Sequence, residues 1–344
     1  MSHRFFAPMG ALAVVIAVAL PAAVPVAGQV AANTTGAAKA WTVPRTPDGQ
    51  PDLQGIWSNA TLTPLERPRE LAGKQFFTQE EAAEYEKRAL QQNNADRRDN
   101  RDTEADVALA YNDSWYERGT KVVPTRRTSL IVDPPDGRIP ALTSEGQKRR
   151  DAGFCQTGQH SHCTERGFNS WEDRNLWERC ITRGLPIVPA PYNNNHQILQ
   201  TSGYVVILSE MIHDARIISV DGRPHIDNDI RQWMGDSRGR WEGSTLVVDT
   251  TNFTDKTNFS GSGANLHLVE RFTRLDANTL LYEFTVDDPT TFTRPWTAAV
   301  PMIRAPGPIY EYACHEGNYG MTNLLSGARA EEKAKKEAAK KASR

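Results

Sequence analysis

The chain has 344 residues, of which 39% are hydrophobic and 24% charged, and its formal net charge is −2. With no basic stripe, that balance excludes a charge-built nucleic-acid surface. The length admits one large domain or two small ones.

Near the start, Arg4 precedes the uncharged apolar run Ala11–Leu20, and Val26, Ala27 and Gly28 follow Pro21. This is the layout of a cleaved export signal over residues 1–28. The run is shorter than the roughly 20 apolar residues a membrane span needs. No cysteine directly follows it, and no other segment is apolar enough to cross a bilayer, so no stable membrane anchor is expected. The expected location is periplasmic or secreted. Residues 29–50 are rich in Ala, Thr, Gly and Pro and read as a flexible leader. Residues 51–328 read as a single β-rich domain in which an N-terminal part wraps a meander over 192–320. Residues 329–344 are Lys/Glu/Ala-rich without an apolar stripe, the pattern of a solvated helix or disordered tail.

Within the domain, Leu53–Asn59 reads as a strand around a Gly-x-Trp. Thr78 followed by Glu81 is a capping box that opens a helix to Gln92. Residues 89–106 are polar and read as a surface excursion. SLIVD and RIPAL flank Pro-Pro-Asp-Gly, a hairpin signal over 129–142. Ser170 and Asp173 cap a short helix expected to run to Cys180. From His196 onward, apolar and polar residues alternate between closely spaced turns. HQILQT and GYVVILSE flank Ser202-Gly203, and MIHDARIISV extends the second of these to give one strand over 204–220. RGRW and STLVVDTTNF flank Glu242-Gly243; LHLVERFTRL and TLLYEFTVDD flank Asp276-Ala277-Asn278; WTAAVPMI and YEYACHE flank a Pro/Gly turn. Such a meander closes most economically into an antiparallel up-and-down barrel or a strongly curved sheet.

Gly55-Ile56-Trp57 resembles the Gly-x-Trp of lipocalins, and with the consecutive hairpins it points to a calycin-like barrel. At whole-chain scale, PDLQGIW, SLIVDPPDGRIPAL, YNNNHQI, EMIHDARII, GDSRGRWEG, LVVDTTNF and YACHEGNYG resemble a large group of uncharacterised exported bacterial proteins. The resemblance covers nearly everything after residue 41 and implies an exported β-rich fold, without a transferable activity. CQTGQHSHC departs from the group's pattern.

The sequence contains four cysteines. In an exported protein an even number reads first as disulfides, with the expected pairs Cys155–Cys163 and Cys180–Cys314. The first pair encloses His160 and His162, a set that suits tetrahedral zinc in composition but not in spacing. Disulfide formation is the expectation there, and no metal is assigned.

Along 204–220, ionisable groups interrupt apolar faces. His213 has the titration range of a general acid/base, and Asp214, His315 and Glu316 complete the expected catalytic set. Tyr192, Asn194, His196, Glu210, Arg216 and Trp241 are the expected substrate contacts. The structural alternative pairs Arg216 with Glu210 or Asp214, because a buried charge is costly unless paired. No Gly-x-Ser-x-Gly elbow, Ser-x-x-Lys, His-Glu-x-x-His or Walker loop occurs, and no cofactor is expected. The expectation is therefore an exported, cofactor-independent hydrolase or lyase. Its substrate would be a small, partly apolar molecule, such as an aryl ether or ester. A non-catalytic lipocalin-like binding protein is the alternative.

Overall fold

The computed structural model describes residues 41–97, 112–151, 168–256 and 259–342. The expected export signal, Cys155, His160, His162 and Cys163 lie outside the described residues. Ten strands form one sheet: β1 (Gly55–Ser58), β2 (Ile131–Asp133), β3 (Asn195–Gln200), β4 (Tyr204–Ser209), β5 (Ala215–Ser219), β6 (Asp236–Glu242), β7 (Thr245–Thr251), β8 (His267–Arg274), β9 (Thr279–Asp287) and β10 (Trp296–Arg304). The order β1-β3-β4-β5-β6-β7-β8-β9-β10 returns to β1 through Trp57 opposite Arg304, closing a nine-strand barrel. Strand β2 adds to the outside of the sheet at β10. Three helices accompany the barrel among the described residues: α1 (Gln79–Gln92), α2 (Ser144–Asp151) and α3 (Tyr319–Ala342). None of them is long and apolar enough to cross a membrane.

The mostly antiparallel, calycin-like barrel expected from the hairpins is present. Its cause is strict alternation, which sends every second side chain inward. Strand β8 buries Leu268, Glu270, Phe272 and Arg274; β9 buries Leu280, Tyr282, Phe284 and Val286; β10 buries Trp296, Ala298, Val300 and Met302. Aromatic rings fill this interior in sequence, with Phe272 4.8 Å from Tyr282, Tyr282 5.5 Å from Phe284 and Phe284 5.8 Å from Trp296. The first strand is locked in by Trp57, which is fully buried and donates from Nε1 to the Leu53 carbonyl at 2.9 Å. The guanidinium carbons of Arg274 and Arg304 lie 5.6 and 5.8 Å from its ring, so cations from the last strands clasp the ring of the first.

One junction departs from the antiparallel rule. Strands β5 and β6 run parallel and share a single register pair, Ser219 with Arg238. Gly239 lets them approach, since a Cβ there would lie 2.8 Å from a Val220 methyl and 3.0 Å from an Ile218 methyl. Side chains reinforce the seam from inside. Arg216 of β5 donates to Ser237 of β6 at 2.9 Å, to Thr250 of β7 at 2.7 Å and to both carboxylate oxygens of Glu270 on β8. Tyr282 of β9 donates to Glu270 at 2.9 Å.

Several local expectations are corrected. The expected single strand over 204–220 is a hairpin: β4 ends at Ser209, a 3-10 turn occupies Met211–His213, and β5 returns antiparallel. The turn places Ile212 and His213 at φ 62° and 49°. Only IVD of the proposed SLIVD/RIPAL hairpin is a strand, and it pairs with β10. The YEYACHE segment forms no strand. The helix expected from Ser170 to Cys180 shortens to a 3-10 turn at Trp171–Asp173, although its Ser170/Asp173 capping box forms. At α1, by contrast, Thr78 accepts from the Glu81 amide at 3.2 Å and Glu81 accepts from the Thr78 amide at 2.8 Å, completing the box read from sequence. The expected Cys180–Cys314 disulfide is present, with its Cα atoms 5.7 Å apart and a separation of 134 residues.

Glu270→Ala strands Arg216 inside the barrel, and breaking such a buried pair costs about 3–5 kcal/mol. Urea unfolding of that variant is expected to show a loss in this range, while the double variant Arg216→Met/Glu270→Leu recovers most of it. A loss under about 1 kcal/mol for Glu270→Ala would mean the pair is not desolvated in solution.

Candidate functional site

At one end of the barrel, the segment before β3 folds over the β3–β4 hairpin and the turn before β5. Between them lies a pocket with about 30 Å³ of space for water-sized molecules. Arg183, Asn193, Asn194, His196, Ser209 and Asp214 supply its polar lining, and Ile187, Val188, Met211 and Met234 contribute to its apolar lining.

Strand register brings two of these groups together. His196 and Ser209 are direct cross-strand partners in the β3–β4 hairpin, so their side chains share a face. The His196 Nδ1 lies 3.1 Å from the Ser209 Oγ. His196 is 6% exposed, and burial lowers its pKa from 6.5 to about 4, so the imidazole is neutral near pH 7. Asp214 ends the 3-10 turn. Its Oδ2 accepts from the Thr182 hydroxyl at 2.5 Å and from the Arg183 amide at 3.3 Å. Burial is the largest influence on this carboxyl and pushes its pKa up, against the two hydrogen bonds.

Arg183 is held differently. Its guanidinium carbon sits 4.4 Å from the centre of the Trp177 ring, and Trp177 packs on Tyr192 with ring centroids 6.5 Å apart. Its Nε, Nη1 and Nη2 are all buried and have no hydrogen-bond partner among the described residues. Burial depresses its pKa from the usual arginine value, yet a guanidinium keeps its proton.

The other residues singled out from sequence are distributed as follows. Asn194, which also lines the pocket, clamps the segment before β3, donating to the Glu117 and Ala190 carbonyls at 2.6 and 2.9 Å and accepting from the Ala190 amide at 2.7 Å. Glu210 is buried and accepts from Asn195 at 2.9 Å and from the Tyr310 amide at 3.3 Å. Arg216 lies in the barrel interior, and its carboxylate partner is Glu270 rather than the expected Glu210 or Asp214. Trp241 is half-buried on β6 against the barrel core. His213, His315 and Glu316 are exposed. The His213 Nδ1 meets the Tyr312 carbonyl at 2.9 Å, and its ring centre is 6.4 Å from that of His315. The expected catalytic set is thus divided, with Asp214 in the pocket and the other three on the surface beside the disulfide.

Sequence reasoning missed Arg183, and it missed Ser209 as the partner of His196. It also missed a second polar cluster, none of whose members lines the pocket. There, the two ring nitrogens of His225 lie 2.8 Å from Asp236 and 3.0 Å from Asp249, and the His267 Nε2 lies 2.8 Å from the other oxygen of Asp249. His225 thus bridges the two carboxylates. The Asp249 hydrogen bond raises the His267 pKa, and the same bond lowers that of Asp249. Compared with known proteins, the chain matches no family model, no curated protein and no solved structure.

Burial of neutral His196 makes stability depend on pH with a definite sign. The folded value of about 4 lies below the unfolded 6.5, so this contribution is complete above pH 6.5 and disappears as pH falls towards 4. At about 1.4 kcal/mol per pH unit, up to about 3 kcal/mol is involved. Denaturant unfolding at stepwise pH is expected to show that decline in the wild type and a shallower one in His196→Gln. Parallel profiles for the two proteins would mean that His196 titrates normally.

Proposed function

We propose that the chain is an exported, cofactor-independent hydrolase that cleaves a small, partly apolar ester, with Ser209 as nucleophile and His196 as general base. The observation that carries this reading is the hydroxyl–imidazole contact of 3.1 Å inside a pocket, with the imidazole neutral. A serine hydroxyl becomes an effective nucleophile only when an adjacent base takes its proton as it attacks. The Ser209 Oγ would add to the ester carbonyl carbon while its proton passes to the His196 Nδ1. Collapse then breaks the bond to the alcohol, which takes that proton, and water repeats the cycle to release the acid. Asp214, whose carboxyl burial pushes towards the neutral form, lies in the same pocket and could hydrogen-bond the leaving oxygen as the His196 proton reaches it.

This geometry favours ester hydrolysis over elimination at an ether, because a nucleophile rather than a lone base sits at the site. On this reading the acid/base role falls to His196, with Asp214 beside it, rather than to His213 and His315. The carrier reading has less to support it: aromatic side chains fill the barrel where a lipocalin-like ligand would sit. Export is supported by the signal-like run Ala11–Leu20 and by the Cys180–Cys314 disulfide, a bond that persists in oxidising compartments. The resemblance to exported bacterial proteins agrees with it.

A panel of aryl and alkyl esters with varied acyl groups tests the assignment. Ser209→Ala and His196→Gln are each expected to lower kcat/KM by roughly 10²–10⁴-fold, with circular dichroism unchanged, whereas His213→Ala and His315→Ala stay near wild type. The reading fails if no ester is turned over by the wild type, or if Ser209→Ala retains full activity.

A further inference from the structure

We propose that Arg183 is the receptor for a carboxylate, so that the pocket takes small organic acids, or substrates bearing a carboxylate, with an apolar body. This rests on the pocket being the functional site, but not on the serine–histidine chemistry assigned to it.

The first argument is the state of the guanidinium. A buried charge is tolerated when it is paired or hydrogen-bonded, and the other well-buried arginines follow that rule. Arg216 has Glu270, Arg174 has Glu178, and Arg274 donates to the Asp52, Asp276 and Ala277 carbonyls. Arg67 and Arg127 each leave one nitrogen buried and unmatched, whereas Arg183, among the described residues, leaves all three. The one carboxyl group in the lining does not neutralise it. The Oδ2 of Asp214 is turned to the Thr182 hydroxyl and the Arg183 backbone amide.

The second argument is rigidity. Thr182 is tied to Asp214, and three residues before Arg183 the chain is fixed by Cys180 to Cys314. Asn318 adds a hydrogen bond to the Glu178 carbonyl at 3.0 Å. Gly184, at φ +80°, turns the chain immediately after Arg183. A cation held in place before the ligand arrives loses little entropy on binding.

Shape supplies the third argument. The guanidinium carbon sits over the Trp177 ring, 4.4 Å from its centre. Planar carboxylates accept guanidinium donors in parallel pairs. Ile187, Val188, Met211 and Met234 offer an apolar surface to what is attached.

Calorimetry on the full chain, with propionate and benzoate against propionamide and benzamide, tests this directly. Each acid is expected to bind roughly 10- to 100-fold tighter than its amide, the range of a charge-assisted hydrogen bond. Arg183→Met is expected to remove that preference and, without ligand, to unfold at a higher temperature, because an unpaired buried charge has gone. Arg183→Lys is expected to retain weakened binding. The inference is overturned by equal affinity for acids and amides, by acid binding that survives in Arg183→Met, or by inorganic phosphate binding tighter than either acid. Ser209→Ala and His196→Gln should keep the acid preference. If they do while no ester is hydrolysed, the hydrolase reading alone is lost; if ester hydrolysis requires Ser209 but acids and amides bind alike, the carboxylate receptor alone is lost.

Discussion

The ion pair between Arg216 and Glu270, sealed inside the barrel, is the constraint on which the rest of the molecule depends. Their side chains are 4% and 0% exposed. Desolvating two charges is costly, and their attraction offsets that cost only when the remaining donors and acceptors are also satisfied. Here they are, by Ser237, Thr250 and Tyr282, so that β5, β6, β7, β8 and β9 are all joined by one polar network. The network lies where the backbone is weakest. Strands β5 and β6 contribute one register pair, whereas β8 and β9 contribute a full antiparallel ladder. Closure at that seam is therefore carried largely by side chains.

The same network reaches the pocket. The hydroxyl of Tyr282 donates to Glu270 and accepts from the Ile187 amide at 3.1 Å. Ile187 and its neighbour Val188 form part of the pocket wall. The wall thus hangs from a hydroxyl whose position is set by the buried carboxylate. Burial and the Glu270 charge beside it hold the Tyr282 pKa far above the usual phenol value, so the group stays a donor across the physiological range. A filled interior and a site at the mouth are two consequences of one arrangement. The polar network and the aromatic rings occupy the lumen, and the pocket lies where the connecting segments cover the strand ends.

Much of this was legible in the sequence because it follows from period and turn chemistry. The β3–β4 hairpin turns at Ser202-Gly203, and counting outwards from that turn already sets His196 opposite Ser209. Glu270 shares parity with Leu268 and Phe272, which marks it as inward-facing before any coordinate is known. Arg183 was not legible. It lies in an irregular, proline-rich stretch where no periodicity states which way a side chain points, and its importance comes from partners it lacks. The break between β4 and β5 was hidden for a related reason. Residues 204–220 alternate without a glycine, proline or asparagine to announce a turn, and tertiary packing overrides the strand pattern.

That hidden turn also explains how the site is positioned. Ile212 is β-branched and still occupies the left-handed region at φ 62°, followed by His213 at φ 49°. A non-glycine residue there costs about 1–2 kcal/mol. The cost is offset by burial of Met211 and Ile212, which are 2% and 1% exposed, and by the bond from the Ser209 amide to the Asp214 carbonyl at 2.8 Å. A relaxed strand through these residues would carry Asp214 away from Ser209 by the rise of five residues. The strained turn instead folds the chain back, so that Asp214 reaches Thr182 and lines the same pocket as Ser209 and His196. Backbone strain at 212–213 is thus the local means by which one stretch of chain contributes two polar groups to one small pocket.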